Sequence, residues 1–248
     1  MLERVSTGIK GLDRLLDGGF IKGSLIEISG GPGTYKSTLA LQFGVAGIKA
    51  GENVTYISFE EPEESFKQLA DDLGVSDEFS KIDFQYINVD MLNSTWYSVN
   101  AASGAEQLAR RLLGSIGSPS RLVIDTATTM ALYSSRTEIK GASRQTQFVT
   151  PSAGDIRIML LLLAEELRKK EGCTSVLLAE SGEGELYLPD EMLKYICDGK
   201  IELRKSLLGT RTPRSLLVEK MRHTNHTLGE HPMVLTKEGL DIEDIEQG

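Results

Sequence analysis

The sequence predicts an α/β fold with a mainly parallel central sheet, helices on both faces and an antiparallel hairpin extension near the C-terminus. Short apolar runs rich in Val and Ile alternate with stretches of helical period, a pattern typical of parallel sheets. The length of 248 residues suits one large domain with a substantial core. The predicted strands are residues 24–29, 53–59, 82–89, 121–125 and 174–180, and the predicted helices are residues 37–49, 63–73, 104–116 and 153–170.

The C-terminal part of the chain has a different pattern. Residues 199–205 and 214–222 are strand-like runs joined by the turn-rich segment SLLGTRTP, so they predict an antiparallel hairpin at the sheet edge. The later segment HPMVLTKEGLDI predicts a second, short hairpin. Because no linker or repeat divides the sequence, we expect one domain over residues 1–248. Its predicted parts are a helical lead-in (1–23), a core (24–205) and C-terminal hairpins with an acidic tail (206–248).

Composition narrows the class of protein. The net charge of -9 disfavours a surface that coats nucleic acid throughout, although it allows a local basic patch. The longest apolar run, residues 158–164, is far shorter than the roughly 20 residues of a membrane span, so it predicts a buried helix face. Because the N-terminal residues are charged, we expect no export signal there, and Cys173 and Cys197 are isolated from other metal-binding or disulfide-forming residues. We therefore expect a cytoplasmic protein, not a membrane protein, with two thiols in its core.

The segment LIEISGGPGTYKSTLALQF, residues 25–43, contains a glycine-rich phosphate-binding loop. An apolar strand precedes the loop and an amphipathic helix follows it, and Gly30, Gly33, Lys36 and Ser37 fit the pattern G-x-x-x-x-G-K-[ST]. In such a loop, backbone N–H groups surround the phosphates, the lysine adds a positive charge and the Ser37 hydroxyl binds Mg²⁺. The predicted ligands are therefore ATP or ADP with Mg²⁺. The predicted nucleotide-binding residues are Gly30, Gly31, Pro32, Gly33, Thr34, Tyr35, Lys36, Ser37 and Thr38.

Tyr35 departs from the pattern, because it stands next to the lysine where the last glycine is expected. A side chain at this position restricts the backbone conformations that the loop can adopt. Three interpretations follow. The loop is a working nucleotide site that tolerates Tyr35, a degenerate site that binds nucleotide poorly or never hydrolyses it, or a glycine-rich turn with a solvent-exposed lysine. Binding of an ATP analogue separates the first interpretation from the others.

Carboxylates that follow two predicted strands suit the chemistry of nucleotide hydrolysis. Asp125 ends the strand RLVID, where a carboxylate can hold Mg²⁺; the alternative is a turn or helix-capping aspartate. Glu60 and Glu61 follow the strand after the phosphate loop, where one of them can orient or deprotonate the attacking water. Adjacent strand residues point to opposite faces, so only one of the two glutamates can face the γ-phosphate unless the strand has already turned. We favour Glu60. The alternative is an acidic helix start, which we accept for Glu63 and Glu64.

These motifs, together with the opening STGIKGLDRLLDGGF and the late segment KMRHTNH, resemble the KaiC-like and RadA-like ATPases of archaea and bacteria, members of the RecA superfamily. The likeness spans nearly the whole chain. It implies a RecA-like P-loop NTPase fold and a homo-oligomer, with a hexameric ring favoured. In KaiC-like proteins a glutamate pair acts on the hydrolytic water, and the matching residues are Glu60 and Glu61.

The resemblance also implies residues that contact the nucleotide of a neighbouring subunit. The family's K-x-R motif on a late strand reaches those phosphates, and Lys220 and Arg222 match it. Residues two apart on a strand project from one face, as a phosphate clamp requires. His226 matches a family histidine close to the same nucleotide. The alternatives are a solvated edge-strand face for the pair and an ordinary loop position for the histidine.

Three functions are compatible with the sequence. The first is a Mg²⁺-dependent, slow ATPase that acts as a nucleotide-driven oligomeric regulator. The second is an accessory protein of recombination or DNA repair that binds single-stranded DNA or a recombinase partner. It would use the loop from Arg136 to Arg157, whose basic residues include Arg136, Lys140 and Arg144. This loop overlaps the weakly periodic segment of residues 126–151, which is a candidate partner-binding loop. The third is a nucleotide-binding scaffold that lacks turnover because of Tyr35.

Overall fold

The structure is a computed structural model, and it describes residues 2–88, 114, 116–134, 137–140, 146–149, 152–182, 184 and 187–243. Within these residues the strands are β1 (Arg4–Val5), β2 (Phe20–Ile21), β3 (Leu25–Gly30), β4 (Val54–Ser58), β5 (Asp83–Tyr86), β6 (Arg121–Asp125), β7 (Thr137–Lys140), β8 (Thr146–Val149), β9 (Thr174–Glu180), β10 (Gly199–Lys205), β11 (Arg214–Met221), β12 (Glu230–Thr236) and β13 (Gly239–Ile242). The helices are α1 (Lys10–Leu15), α2 (Lys36–Lys49), α3 (Glu63–Asp72), α4 (Ser76–Phe79), α5 (Ala127–Ser134), α6 (Ala153–Arg168) and α7 (Leu188–Ile196).

Nine of these strands form one sheet in the order β13-β12-β11-β10-β3-β9-β6-β4-β5. The strands from β10 to β5 are parallel to their neighbours, whereas β11, β12 and β13 are added antiparallel at one edge. The predicted α/β class and the antiparallel extension are therefore confirmed. Because parallel strands share a direction, the carboxyl ends of β3, β9, β6 and β4 lie side by side. The segments that follow these strands meet at one edge of the sheet.

Helices cover both faces of the sheet. On one face, Ile28 of β3 belongs to the same buried cluster as Leu39 and Phe43 of α2. On the other face, Leu177 of β9 belongs to a cluster with Met159 of α6. Successive strand residues point to opposite faces, so each central strand supplies apolar side chains to both cores. This arrangement explains why the central strands have nearly uninterrupted apolar sequences.

The apolar run of residues 158–164 lies in α6, but only part of it is buried. Met159 and Leu163 face the core, whereas Ile158 and Leu161 are 56% and 46% exposed. The prediction of a buried helix face was wrong at these two positions, because an apolar run longer than one turn surrounds the helix. In the described part of the chain, no helix combines the length and the apolar composition needed to span a membrane.

The segment 126–151, predicted to be an irregular loop, contains regular structure. Helix α5 follows β6 closely, and β7 and β8 pair as an antiparallel hairpin. Helix α7 was not predicted either. Both helices are short, so their sequences contain too few turns for a helical period to stand out. The predicted helix of residues 104–116 lies almost entirely outside the described residues.

Candidate functional site

The phosphate loop joins the end of β3 to the start of α2. Gly30 leaves no room for a side chain, because a Cβ there would lie 2.6 Å from both Leu203 O and Thr34 Oγ1. Gly33 has a φ of +73°, a conformation that favours glycine. The N-terminus of α2 follows the loop, and its dipole favours an anion at that position. The backbone therefore has the geometry of a phosphate-binding turn.

Lys36 folds back over this loop. Its Nζ donates to Gly30 O at 2.9 Å and to Gly31 O at 3.2 Å. Burial lowers the pKa of Lys36, since desolvation disfavours its charged form. Three carboxylates oppose this shift with their negative charge, in decreasing order Glu180, Asp125 and Glu60. Lys36 therefore lies between the phosphate loop and three carboxylates at the carboxyl ends of the strands.

Tyr35 adopts the left-handed conformation that its position requires, with φ 72° and ψ 27°. For a residue with a Cβ this conformation costs roughly 1–2 kcal/mol. The ring is half-buried against the core, and the Arg214 guanidinium carbon lies 4.3 Å from the ring centroid. The loop thus keeps the turn that a glycine would give, and the ring packs between the core and Arg214.

Asp125 lies buried at the end of β6. The Tyr56 hydroxyl donates to Asp125 Oδ2 at 2.7 Å. Burial raises the pKa of Asp125 to about 6, and hydrogen bonds from the hydroxyls of Tyr56 and Ser37 limit the rise. Thr38, also predicted as a nucleotide-binding residue, is buried in the first turn of α2.

Ser37 and Asp125 together fit a Mg²⁺ site in which the phosphates of a bound nucleotide supply further ligands. The hydroxyl and the carboxyl are close enough to interact, and both are hard oxygen ligands. Among the described residues, no group of three or more His, Cys, Asp or Glu side chains is arranged to hold a metal ion. A site with one carboxylate and one hydroxyl suits Mg²⁺, which usually completes its shell with phosphate oxygens and water.

Glu60 and Glu61 differ in their surroundings. The Glu60 Oε1 accepts hydrogen bonds from Thr129 Oγ1 at 2.6 Å and Thr126 Oγ1 at 3.0 Å, which ties it to the segment after Asp125. Glu61 is held through its backbone: its N–H donates to Ser58 Oγ at 3.1 Å, and Ser58 Oγ donates to its carbonyl at 2.7 Å. Both glutamates are exposed. Glu60 therefore has the better defined carboxylate.

Sequence reasoning missed Glu180, the last residue of β9. Its strand lies between β3 and β6, and Glu180 is registered with Gly30. Its backbone N–H donates to Thr128 Oγ1 at 2.9 Å, and its charge has the largest electrostatic effect on the pKa of Lys36. The sequence did contain a sign that Glu180 lies at the site, because the apolar strand TSVLLAE ends in a carboxylate as the strand RLVID does.

β11 runs antiparallel to β10 and β3, so its C-terminal end lies beside the start of those strands. Lys220 and Arg222 therefore lie at the opposite end of the strands from this chain's own phosphate loop. The Lys220 Nζ donates to Lys194 O at 3.0 Å and to Cys197 O at 2.6 Å, at the end of α7. Arg222 Nη1 donates to Asp198 Oδ1 at 2.9 Å. Within one chain, neither side chain reaches the site built around Lys36.

The other predicted residues are less well defined. His226 is half-buried in the connection between β11 and β12, and its Nδ1 lies 3.1 Å from Thr227 O. Arg136 and Arg144 lie outside the described residues. Lys140 ends β7, where only its backbone is described. The DNA-binding hypothesis for this segment stays a prediction.

A largely buried cluster of charged side chains connects β3, β10, β11 and α7. Lys200 Nζ lies 2.7 Å from Asp190 Oδ1, 3.6 Å from Glu27 Oε1 and 3.8 Å from Glu219 Oε2. Burial raises the pKa of Glu27 to about 10, against the charge of Lys200, which lowers it. Glu27 therefore carries a proton at neutral pH.

Glu27→Gln is expected to flatten the pH dependence of stability. The folded-state pKa of Glu27 lies above the unfolded value, so its contribution is complete below the unfolded pKa and is lost as pH rises towards about 10. Between pH 5 and 9, the free energy of unfolding of the variant should rise relative to that of the wild type by at most about 1.4 kcal/mol per pH unit. Urea unfolding at several pH values measures this, with the exposed Glu238→Gln as control. Equal slopes for Glu27→Gln and the wild type would contradict the prediction.

The fold and the phosphate loop together define a RecA-like P-loop protein of the KaiC type. A family model described as "ATPase: KaiC" matches residues 5–247, and the chain belongs to this family. The resemblance inferred from the sequence is therefore confirmed.

Relatives match along nearly their whole length. A UPF0273 protein of Thermotoga maritima is 29% identical, with 100% of this chain and 99% of the relative covered. A UPF0273 protein of Methanocaldococcus jannaschii is 30% identical, with coverages of 97% and 96%. The crystal structure of a KaiC-like protein from Pyrococcus horikoshii is similar with a TM-score of 0.73 and 27% identity, and the match covers 98% of this chain and 100% of that one.

Proposed function

We propose that this protein binds ATP with Mg²⁺ at the phosphate loop and hydrolyses it slowly, as a nucleotide-driven oligomeric regulator. The observation that carries the proposal is the convergence of Lys36, Asp125 and Glu60 at adjacent strand ends, close enough for their charges to interact. The carboxylates lie at the ends of two neighbouring parallel strands, and the lysine is the first residue of α2. ADP would occupy the same loop after hydrolysis.

The roles of the binding residues follow from their chemistry. Lys36 binds the β- and γ-phosphates in exchange for the carbonyl oxygens that it contacts without nucleotide. Ser37 and Asp125 would hold Mg²⁺, and the metal would neutralise phosphate charge when bound. Burial raises the pKa of the Asp125 carboxyl to about 6, and a bound divalent cation would favour its ionised form. Tyr56 and Ser37 orient this carboxyl through their hydroxyls.

Glu60 is the residue that we assign to the attacking water. Its carboxylate would accept a hydrogen bond from the water and take its proton as the water oxygen bonds to the γ-phosphorus. The bond from that phosphorus to the bridging oxygen of ADP breaks in the same step, so ADP leaves and inorganic phosphate is released. Thr126 and Thr129 hold the carboxylate through their hydroxyls, which fixes its direction and leaves its charge in place. Glu61 completes the pair beside it.

The proposal includes a homo-oligomer, with a hexameric ring favoured. Lys220 and Arg222 lie far from their own phosphate loop, so they would serve the nucleotide of a neighbouring subunit, with His226 beside them. A subunit that lacks a neighbour lacks these cations at its γ-phosphate. This requirement, and the strained Tyr35, support slow turnover.

Glu60→Gln with Glu61→Gln is expected to lower ATP hydrolysis by about 100-fold, because the water loses its proton acceptor. Nucleotide binding should be retained, because the binding residues remain. Phosphate release is measured against protein concentration, with light scattering in the presence and absence of ATP. Turnover that depends on an oligomer should rise more steeply than in proportion to concentration.

The matched control is Glu63→Gln with Glu64→Gln, since the half-buried Glu63 and the exposed Glu64 start α3 and have no assigned role. The control should hydrolyse ATP at the wild-type rate. If the wild type releases phosphate no faster than the Glu60 and Glu61 variant, the protein is a binding scaffold without turnover. If only monomer is found with ATP, the oligomeric part of the proposal fails.

A further inference from the structure

The hairpin formed by β10 and β11 ends directly beside the phosphate loop. Lys205 is the last residue of β10 and Arg214 the first of β11, and the two are registered as cross-strand partners. Both side chains turn towards the loop between β3 and α2. Their partners there are backbone carbonyls and an aromatic ring.

The two cations hold consecutive carbonyl groups of the loop. Lys205 Nζ donates to Pro32 O at 2.5 Å, and Arg214 Nε donates to Gly33 O at 2.9 Å. In a trans peptide unit the N–H points away from the carbonyl oxygen. The N–H groups of Gly33 and Thr34 are therefore directed away from the hairpin. These are backbone donors of the kind that a phosphate-binding loop presents to its ligand.

Arg214 has a second contact that depends on Tyr35. Its guanidinium carbon lies 4.3 Å from the centroid of the Tyr35 ring, within the range of a cation–π interaction. Tyr35 is the residue that departs from the usual loop pattern, and it has a φ of 72°. The same arginine therefore contacts the residue that replaces the glycine and the carbonyl two residues before it.

We propose that Arg214, assisted by Lys205, is a positioning residue that holds the phosphate loop in its nucleotide-binding conformation, and that it does so by packing on Tyr35. The arginine acts on the loop and not on the phosphates. Tyr35 and Arg214 together take the place of the glycine, so the tyrosine is a compensated substitution. This inference rests on the proposed nucleotide binding.

A double-mutant cycle tests the proposal. The dissociation constant of a fluorescent ADP analogue is measured for the wild type, Arg214→Ala, Tyr35→Gly and the double variant. Arg214→Ala should weaken binding by about tenfold when Tyr35 is present. In the Tyr35→Gly background the same change should weaken binding by less than about twofold, because a glycine adopts the turn without support. Equal effects in the two backgrounds would overturn the proposal.

Two further variants separate positioning from simple loss of charge. Arg211→Ala removes an exposed cation from the same hairpin and should leave binding unchanged. Arg214→Lys keeps a cation and one donor and should restore most of the affinity lost in Arg214→Ala. If Arg211→Ala weakens binding as much as Arg214→Ala does, a general electrostatic effect replaces the proposal.

A readout without nucleotide distinguishes failure of this inference from failure of the proposed function. Hydrogen exchange at the amides of residues 33–39 should be several times faster in Arg214→Ala than in the wild type, and this difference should shrink when Tyr35 is Gly. If the wild type binds no nucleotide, the proposed function fails, but hydrogen exchange in the four proteins still tests whether Arg214 holds the loop through Tyr35. Exchange rates that are unchanged by Arg214→Ala would overturn this positioning role.

Discussion

Replacing Lys36 with alanine is expected to weaken ATP binding by about 100-fold. Its ammonium is a charged group at the mouth of the loop, and without nucleotide it donates to Gly30 O and Gly31 O. Nucleotide phosphates would replace these neutral acceptors with charged ones, which form stronger hydrogen bonds. Removal of the ammonium should cost this difference and also leave three carboxylates without the nearby cation. Fluorescence titration and calorimetry both measure the loss.

The matched control for this variant is Lys49→Ala. Lys49 lies in the last turn of the same helix, and its Nζ is 3.7 Å from Glu78 Oε1 on the surface. Its removal should change ATP affinity by less than about twofold. Thermal unfolding shows whether Lys36→Ala still folds. A folded Lys36→Ala protein with wild-type affinity would mean that the loop is a structural turn and not a nucleotide site.

Replacing Arg222 with alanine is expected to lower hydrolysis by about 1000-fold while nucleotide binding changes little. We assign Arg222 to the developing charge on the γ-phosphate of the neighbouring subunit, where a cation stabilises the transition state more than the ground state. Lys220→Ala should act in the same direction. It should also destabilise α7, because Lys220 donates to carbonyls at the end of that helix. Steady-state ATPase rates and ADP affinity separate the two effects.

Mixing inactive subunits tests whether Arg222 acts in trans. Subunits with Arg222→Ala keep their own Glu60 and Glu61, and subunits with Glu60→Gln and Glu61→Gln keep Arg222. In a randomly mixed ring about a quarter of the interfaces combine the intact halves, so activity should return to a comparable fraction of the wild-type rate. Lys194→Ala is the control for loss of a cation from the same surface, because Lys194 pairs with Glu219 there and has no assigned role at the neighbouring nucleotide. Absence of recovery in rings shown to be mixed would rule out the role in trans.

The sequence predicted the sheet and the loop because their signals are local. Strands β3, β6 and β9 are short apolar runs, and the glycine spacing at residues 30–33 appears within one segment. Asp125 was recognised because it ends such a run. Glu180 ends another, but a single carboxylate after a strand gains meaning only when the sheet order places β9 between β3 and β6. Strand order is a tertiary property, and no local pattern specifies it.

Arg214 was beyond local patterns for the same reason. It is 181 positions from Gly33 in sequence, and the hairpin brings it into contact with the loop only after β10 pairs with β3. The effect of Tyr35 was predicted in part, since a Cβ at that position was expected to conflict with the turn. The resolution of that conflict depends on a side chain that arrives from the opposite end of the chain.

Strand β11 carries Arg214 at its first residue and Lys220 near its last. These positions are separated by about 20 Å of extended backbone. If the ring forms as proposed, one strand contacts its own phosphate loop at one end and a neighbour's nucleotide near the other. Thermodynamic linkage then requires reciprocity: whatever factor a nucleotide at the first site imposes on affinity at the second, the second imposes on the first. Each subunit would thus communicate with its neighbours through a single strand.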